Sequence, residues 1–274
     1  MKKSKAKQIF CVVLSALIIG ISLCACSASQ GGGNEESTAG STEGSTSSTT
    51  ETTTEPTTED LSTTFAEKAT QKVYAGLAKD ANGSYPYELA SYTTHYNSKD
   101  AARTANLQAA VNKLNNIKIP DGSVFSFNQT VGKRTVTAGY ETATVIKDGE
   151  FVDGLGGGVC QVSSTVFECV LRANVEIVSR TNHTLEIGYV PLGGDATVQW
   201  NSKDFKFKNN LGCDVRITMT CNNGNLICKL YGKKKIDVGN VKINIKSSDG
   251  VYTLTRTVNG KTNYTTTSKY KKAE

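Results

Sequence analysis

Residues 27–60 are nearly all Ser, Thr, Gly and Glu, with seven acidic residues and no Lys or Arg. A segment of that composition cannot bury a core, so residues 27–64 are expected to be a disordered Ser/Thr/Glu-rich linker. Whatever folds must be built from the residues after it. As a flexible coil, the 34 residues from 27 to 60 would hold their ends roughly 30–35 Å apart.

Ahead of the linker stands MKKSKAKQIFCVVLSALIIGISLCAC, with four lysines followed by an apolar run from Ile9 to about Leu23. This is the n-region and h-region of an export signal, and the run is shorter than a typical membrane span. Its end, Leu23-Cys24-Ala25-Cys26, resembles a bacterial lipobox. Residues 1–26 are therefore expected to be a lipoprotein signal peptide, with Cys26 the lipidated residue. Acyl chains bury about 0.8 kcal/mol per methylene, enough to hold a protein on a bilayer. The expected location is the extracytoplasmic face of the membrane, lipid-anchored and reaching into the cell wall.

The net charge of +6 conceals an asymmetry. Residues 61–274 carry 27 basic and 18 acidic side chains, which suits an anionic envelope polymer. Export argues against nucleic acid as a partner. Five cysteines follow the linker: Cys160, Cys169, Cys213, Cys221 and Cys228. Cys221 and Cys228 flank a probable turn and can face each other across it, either packed or bridged. Two distant histidines and scattered cysteines match no usual metal-ligand spacing, so no metal and no cofactor is expected.

Hydrophobic periodicity supplies the elements. A short amphipathic helix is expected over 66–79 and a longer one over 100–116, with Leu107, Ala110, Val111 and Leu114 on one face. A third, near 160–173, places Val162, Val166 and Val170 in a stripe with Cys169. Strands are expected at 89–96, 124–127, 142–147, 150–153, 175–178, 185–190, 197–200, 216–221 and 226–231. Two main helices and many strands make an α+β fold with a mostly antiparallel sheet. The folded domain is placed at 65–235, and 236–274 is read as a β-hairpin extension around Asn259-Gly260.

The stretch "GGGVCQVSST", residues 156–165, holds the main chemical candidate. Cys160 follows three glycines at the start of a predicted helix, where unpaired N–H groups and the helix dipole favour a thiolate. It lies about 160° from Val162, the member of the valine stripe nearest in sequence, at 100° per residue, so the thiol need not enter the core. The glycines let backbone approach a ligand, and the same N–H groups can stabilise an oxyanion. Gly157, Gly158, Gln161 and Ser163 are the expected substrate-binding or oxyanion residues. Ser163 and Ser164 are read as capping or packing residues rather than nucleophiles.

A thiol nucleophile wants an imidazole, and the chain has only His95 and His183. His183, between two predicted strands, is the candidate base. Asp195 in "PLGGD" is the candidate orienter, with Glu186 a poorer choice. Residues 156–165 also resemble the signature of VanW-domain proteins. The likeness continues through "YTTHYNSKDAARTANLQAAVNKLNNIKIPDGSVFSFNQTVG", "AGYETATVIKDGE" and "SRTNHTLEIGYVPLGGDATVQWNSKDFKFKN", covering about residues 88–232.

The resemblance implies an L,D-transpeptidase that makes 3–3 peptidoglycan cross-links through Cys160. The thiol would attack the carbonyl of the third stem residue, release D-Ala, and pass the acyl group to a side-chain amine of a neighbouring stem. His183 and Asp195 match the family's histidine and aspartate. No separate peptidoglycan-binding domain precedes the VanW-like region, so substrate capture is expected to rest on the tether and the domain itself. The partners are then peptidoglycan stem peptides and, through the lipid, the membrane. A hydrolase using the same cysteine and a non-catalytic wall-binding lipoprotein are the alternatives.

Overall fold

A computed structural model describes residues 73–74 and 84–272. The expected signal peptide, Cys26, the linker and most of the helix expected at 66–79 lie outside the described residues. The two described residues of that stretch form a strand, β1 (Val73–Tyr74), rather than helix. The elements that follow are β2 (Tyr87–His95), α1 (Ala101–Leu114), β3 (Ile117–Ile119), β4 (Val124–Ser126) and α2 (Phe127–Val131). Next come the hairpin β5 (Thr142–Lys147) and β6 (Glu150–Leu155), then α3 (Val159–Arg172). Strands complete the chain: β7 (Glu176–Ser179), β8 (Lys206–Lys208), β9 (Val215–Asn222), β10 (Asn225–Gly232), β11 (Val241–Ser248), β12 (Val251–Val258) and β13 (Lys261–Lys269).

The fold is α+β with mostly antiparallel sheets. One sheet runs β1-β4-β8-β7, a second β2-β10-β9-β3, and a third β11-β12-β13. Only the β1–β4 pairing is parallel among these ladders. No helix among the described residues is long and apolar enough to cross a membrane.

Local chemistry sets the two long helices. Asp100 caps α1 by accepting the Arg103 N–H at 3.0 Å, and Leu107, Ala110, Val111 and Leu114 turn inward. α3 starts instead from Gly158, whose φ of +105° is a left-handed conformation that suits glycine, and no side chain caps it. Every residue from 161 to 171 of α3 is buried, because β2, β10, α1 and β11 surround the helix. Val162, Val166 and Val170 are fully enclosed, each worth about 1.5–3 kcal/mol of burial. Phe125 stacks on Phe207 at 4.8 Å between centroids, and Phe167 meets Phe205 edge-on at 5.5 Å, joining sheet to helix in one core.

Three expectations change. Residues 185–190 and 197–200 are not strands: the first holds only the isolated bridge Leu185–Lys271, and around the second backbone groups meet side chains and loops. The Ala196 N–H donates to Ser164 Oγ at 3.0 Å, the Ala196 carbonyl accepts from Ser163 Oγ at 2.6 Å, and the Thr197 N–H donates to the Thr181 carbonyl at 2.8 Å. Residues 236–274 hold three strands rather than a hairpin. Leu254 joins the core and Arg256 donates to the Val175 carbonyl at 2.8 Å, so this sheet is seated on the domain. Cys221 and Cys228 do not oppose each other, since the register puts Leu226 across from Cys221 and Met219 across from Cys228. All five described cysteines are free thiols.

Candidate active site

Cys160 is the second residue of α3, on the side away from the valine stripe, and is half-buried. The Val198 N–H donates to its sulfur at 3.5 Å, the Thr197 hydroxyl lies 3.5 Å away, and the thiol form can donate to the Val198 carbonyl at 3.4 Å. His183 lines the same cavity beside Cys160, and the interaction between its ring and the sulfur acts on the ionisation of both. The fold thus brings together a cysteine and a histidine 23 positions apart in the chain.

His183 is 5% exposed and held on both its backbone and its ring by one carboxylate. Its N–H donates to Asp195 Oδ2 at 2.6 Å, and Nδ1 faces the same oxygen at 2.6 Å. That leaves Nε2 for the thiol side of the ring, where the Tyr189 hydroxyl also stands at 3.4 Å. Asp195 is fully buried, and its other oxygen accepts from Arg180 Nη2 at 2.9 Å and from the Tyr270 hydroxyl at 2.5 Å. The carboxylate is satisfied by four donors, which fixes the imidazole's tautomer and orientation.

These contacts set the ionisation. Burial alone would raise the Cys160 pKa, but the hydrogen bond to His183 and its charge, with help from Val198 and Thr197, bring it from 9.0 down to about 7. Burial would lower His183, yet hydrogen bonds to Asp195 and Cys160 and their charges lift it from 6.5 to about 9. Burial works against the charged form of Asp195 too; His183 and Arg180 overcome it and hold its pKa below the usual carboxylate value. With the thiol below the imidazole, the pair passes through a thiolate–imidazolium form between about pH 7 and about pH 9.

Tyr270 reaches the site from the C-terminal segment. Its hydroxyl donates to Asp195 and accepts the Gly193 N–H at 2.7 Å. Arg180 reaches the same sheet through Thr266 and Thr267, and Asn182 donates to the Lys269 carbonyl at 3.0 Å. Gly193, with φ of +96°, would place a Cβ 3.2–3.3 Å from Tyr252 and Ile245, so glycine allows the close seating of this sheet.

The other expected site residues play different parts. Gly157 packs so closely on β5 that a Cβ would lie 2.6 Å from the Thr144 carbonyl oxygen, and Asn106 Nδ2 donates to the Gly157 carbonyl at 3.0 Å. Gly158 sets the start of α3 and lines the cavity. Ser163 is fully buried and bonded to the Cys160 and Ala196 carbonyls, which makes it a brace rather than a contact to ligand. Gln161 is 1% exposed, with its amide held by Thr94, the His95 carbonyl and Arg103. His95 contributes that carbonyl rather than its ring. Glu186 is exposed on the cavity wall and makes no contact with His183.

A cavity of about 570 Å³ opens over Cys160 and His183. The β5–β6 hairpin forms one wall with Phe151, which is 53% exposed, and Trp200 lies on another, 38% exposed. Its charged lining comprises Arg103, Lys133, Arg134, Lys147 and Lys203 against Glu186. Among the described residues no cluster of His, Cys, Asp or Glu forms a metal site. Sequence reasoning missed Arg180, Thr197, Tyr189 and Tyr270. Arg180 had a signal, sitting three positions before His183 in "SRTNHT"; Tyr270 had none, because only the folded chain brings position 270 to position 195.

Residues 102–231 match the family described as "VanW like protein". The chain is 41% identical over 150 residues to "Uncharacterized protein YoaR" of Bacillus subtilis (strain 168), covering 55% of this chain and 50% of that protein. It is 27% identical over 158 residues to "Vancomycin B-type resistance protein VanW" of Enterococcus faecalis (strain ATCC 700802 / V583), covering 54% of this chain and 57% of that one. The chain thus spans about half the length of the curated relatives it matches. No solved structure matches it. Cys160, His183 and Asp195 all fall inside the region, residues 102–231, that matches the VanW-like family, and Tyr270 falls outside it.

Proposed function

We propose that this chain is a cell-wall cysteine acyltransferase, an L,D-transpeptidase that joins peptidoglycan stem peptides by 3–3 cross-links. The observation that carries the reading is the buried array in which Asp195 orients His183, and His183 in turn meets the thiol of Cys160. That array is what nucleophilic acyl transfer requires. A relative whose name refers to vancomycin resistance supports a link to the cell wall.

The steps follow from the residues. The Cys160 thiolate adds to the carbonyl of the third stem residue, which places the oxyanion at the positive end of the α3 dipole. His183, as imidazolium, gives its proton to the departing amine of D-Ala, leaving a thioester and a neutral imidazole. The side-chain amine of a neighbouring stem then attacks the thioester, its proton passes to His183, and the Cys160 thiolate is restored. Asp195 keeps the ring in the one tautomer that serves both transfers.

Incubation of the purified chain with a defined disaccharide-tetrapeptide, with products read by mass spectrometry, tests this. Cross-linked dimers that vanish in Cys160→Ala are the expected result. Cleaved stems alone would reassign the chain as a hydrolase, and binding without turnover would remove the enzymatic reading. The same reading sets the domain outside the membrane on a lipid carried by Cys26, tethered by residues 27–64. Metabolic labelling with an alkyne fatty acid, lost in Cys26→Ala, tests the anchor.

A further inference from the structure

Two arginines line the cavity, and they differ in how they are engaged. Arg134 donates Nη1 to Asn128 Oδ1 at 2.7 Å and to the Gly132 carbonyl at 3.1 Å, which ties it to its own loop. Arg103, on the first turn of α1, lines the cavity together with Cys160 and has no carboxylate partner among the described residues. Its side-chain hydrogen bond among the described residues runs from Nη2 to Gln161 Oε1 at 2.8 Å.

That one bond is fixed by a buried relay. Gln161 immediately follows the nucleophile, and its Nε2 donates to Thr94 Oγ1 at 3.1 Å and to the His95 carbonyl at 2.8 Å. Thr94 in turn shares a hydrogen bond of 2.8 Å with Thr165, one turn along α3. With both amide protons committed, Gln161 can present only its oxygen toward Arg103. The aliphatic stem of Arg103 lies over Gly158, where a Cβ would approach its Cγ to 3.1 Å. Burying a chain of polar groups is costly unless every member is satisfied, and this chain ends by holding a guanidinium at the wall of a cavity rich in positive charge.

We propose that Arg103 is the carboxylate-binding residue of the cavity, held in place by Gln161, and that it seats a carboxylate of the acyl donor beside Cys160. A planar guanidinium with N–H groups unengaged by the protein suits a carboxylate better than a lysine does. In a stem tetrapeptide the carboxylate is either that of the leaving D-Ala or the free one on the diamino acid. The identity of the donor rests on the transpeptidase reading; the carboxylate site does not.

The test compares two small alkylating probes on the full chain, following the Cys160 peptide by mass spectrometry. Iodoacetate and iodoacetamide both form an S–C bond and release iodide, but only iodoacetate carries a carboxylate. The iodoacetate-to-iodoacetamide rate ratio is expected to fall about tenfold in Arg103→Met, the scale of one charge-assisted hydrogen bond, with partial rescue in Arg103→Lys. An equal ratio in wild type and Arg103→Met overturns the inference. With stem peptides, the wild type is expected to discriminate against either the C-terminal amide or the amide of the diamino acid's carboxyl, and Arg103→Met to lose that discrimination; whichever amide it is names the carboxylate. Wild-type indifference to both amides also overturns the site. A fallen haloacetate ratio with no peptide turnover keeps the carboxylate site and rejects the transpeptidase.

Discussion

α3 and the segment 180–205 each hold half of the candidate site, by opposite means. α3 is a regular helix, and its own ladder fixes where Cys160 stands. The segment from 180 to 205 has no helix or strand, only the isolated bridges Leu185–Lys271 and Gln199–Lys203, yet it carries His183 and Asp195. There, order comes from side chains: Asp195 takes four donors, and Ser163 and Ser164 of α3 clasp Ala196. The nucleophile is positioned by local structure, the base and its orienter by distant residues. The half built from distant contacts should be the more sensitive to single substitutions.

Changes at the reacting atoms have the largest effect. Cys160→Ala is expected to abolish both thioester formation and turnover, with the unfolding transition nearly unmoved, because the side chain is half-buried and small. Chemical denaturation beside the activity assay checks both parts. A large loss of stability would show that the thiol is a core element and that α3 and the 180–205 segment do not differ in this way.

Asp195→Asn comes next, and it strikes the other half. Turnover should drop by about 10²–10⁴-fold as the imidazole loses its orientation, and removing the charge leaves Arg180 buried without a partner, at a cost of about 3–5 kcal/mol. Ionisation gives the sharper readout. In the wild type, alkylation of Cys160 by iodoacetamide should rise with pH through about 7 rather than 9.0. Below that midpoint the thiol is protonated; above about 9 the imidazolium is lost. Asn at 195 no longer favours the imidazolium, so the thiolate loses support and the alkylation midpoint should move upward. A midpoint that stays near 7 would mean that the α3 terminus, not His183, stabilises the thiolate.

The same contrast explains what the sequence made legible. Periodicity located α1 and α3 to within a residue or two, because both bury a face at helical spacing. It also turned Cys160 away from the valine stripe correctly. It misread 185–190 and 197–200 as strands because their composition is β-like; in the second, the Thr197 N–H is taken by the Thr181 carbonyl and the Val198 N–H by the Cys160 sulfur. Gln161 and Ser163 stood in the right motif for a different reason: both are buried braces. β11 escaped notice because Lys and Asn alternate with its isoleucines, so only one face is apolar, and that face is covered by parts of the chain far away in sequence.

Tyr270→Phe probes the C-terminal sheet as a support for Asp195. One hydroxyl is lost and two hydrogen bonds with it, so stability should fall by about 1–2 kcal/mol and turnover by about tenfold or less. A structural role alone would lower the melting temperature and leave the Cys160 alkylation profile in place. If Tyr270 positions the carboxylate, the midpoint of that profile should shift as well. An unmoved midpoint would reduce the sheet to packing and return the whole of Asp195's placement to Arg180 and His183.

Ser163→Ala should have the smallest effect, and it distinguishes the two halves most directly. Ser163 Oγ touches the carbonyl of Cys160 at 3.1 Å on one side and that of Ala196 at 2.6 Å on the other, linking helix to loop through a single atom. Its removal should cost about 1 kcal/mol, measured by denaturant unfolding. Ser164 still holds the Ala196 N–H at 3.0 Å, so the loop keeps one clasp and turnover should fall only a few-fold. Ser164→Ala would remove that clasp and should slow turnover more than Ser163→Ala does. If the order is reversed, the Ala196 carbonyl rather than its N–H is the point at which α3 fixes the loop carrying Asp195.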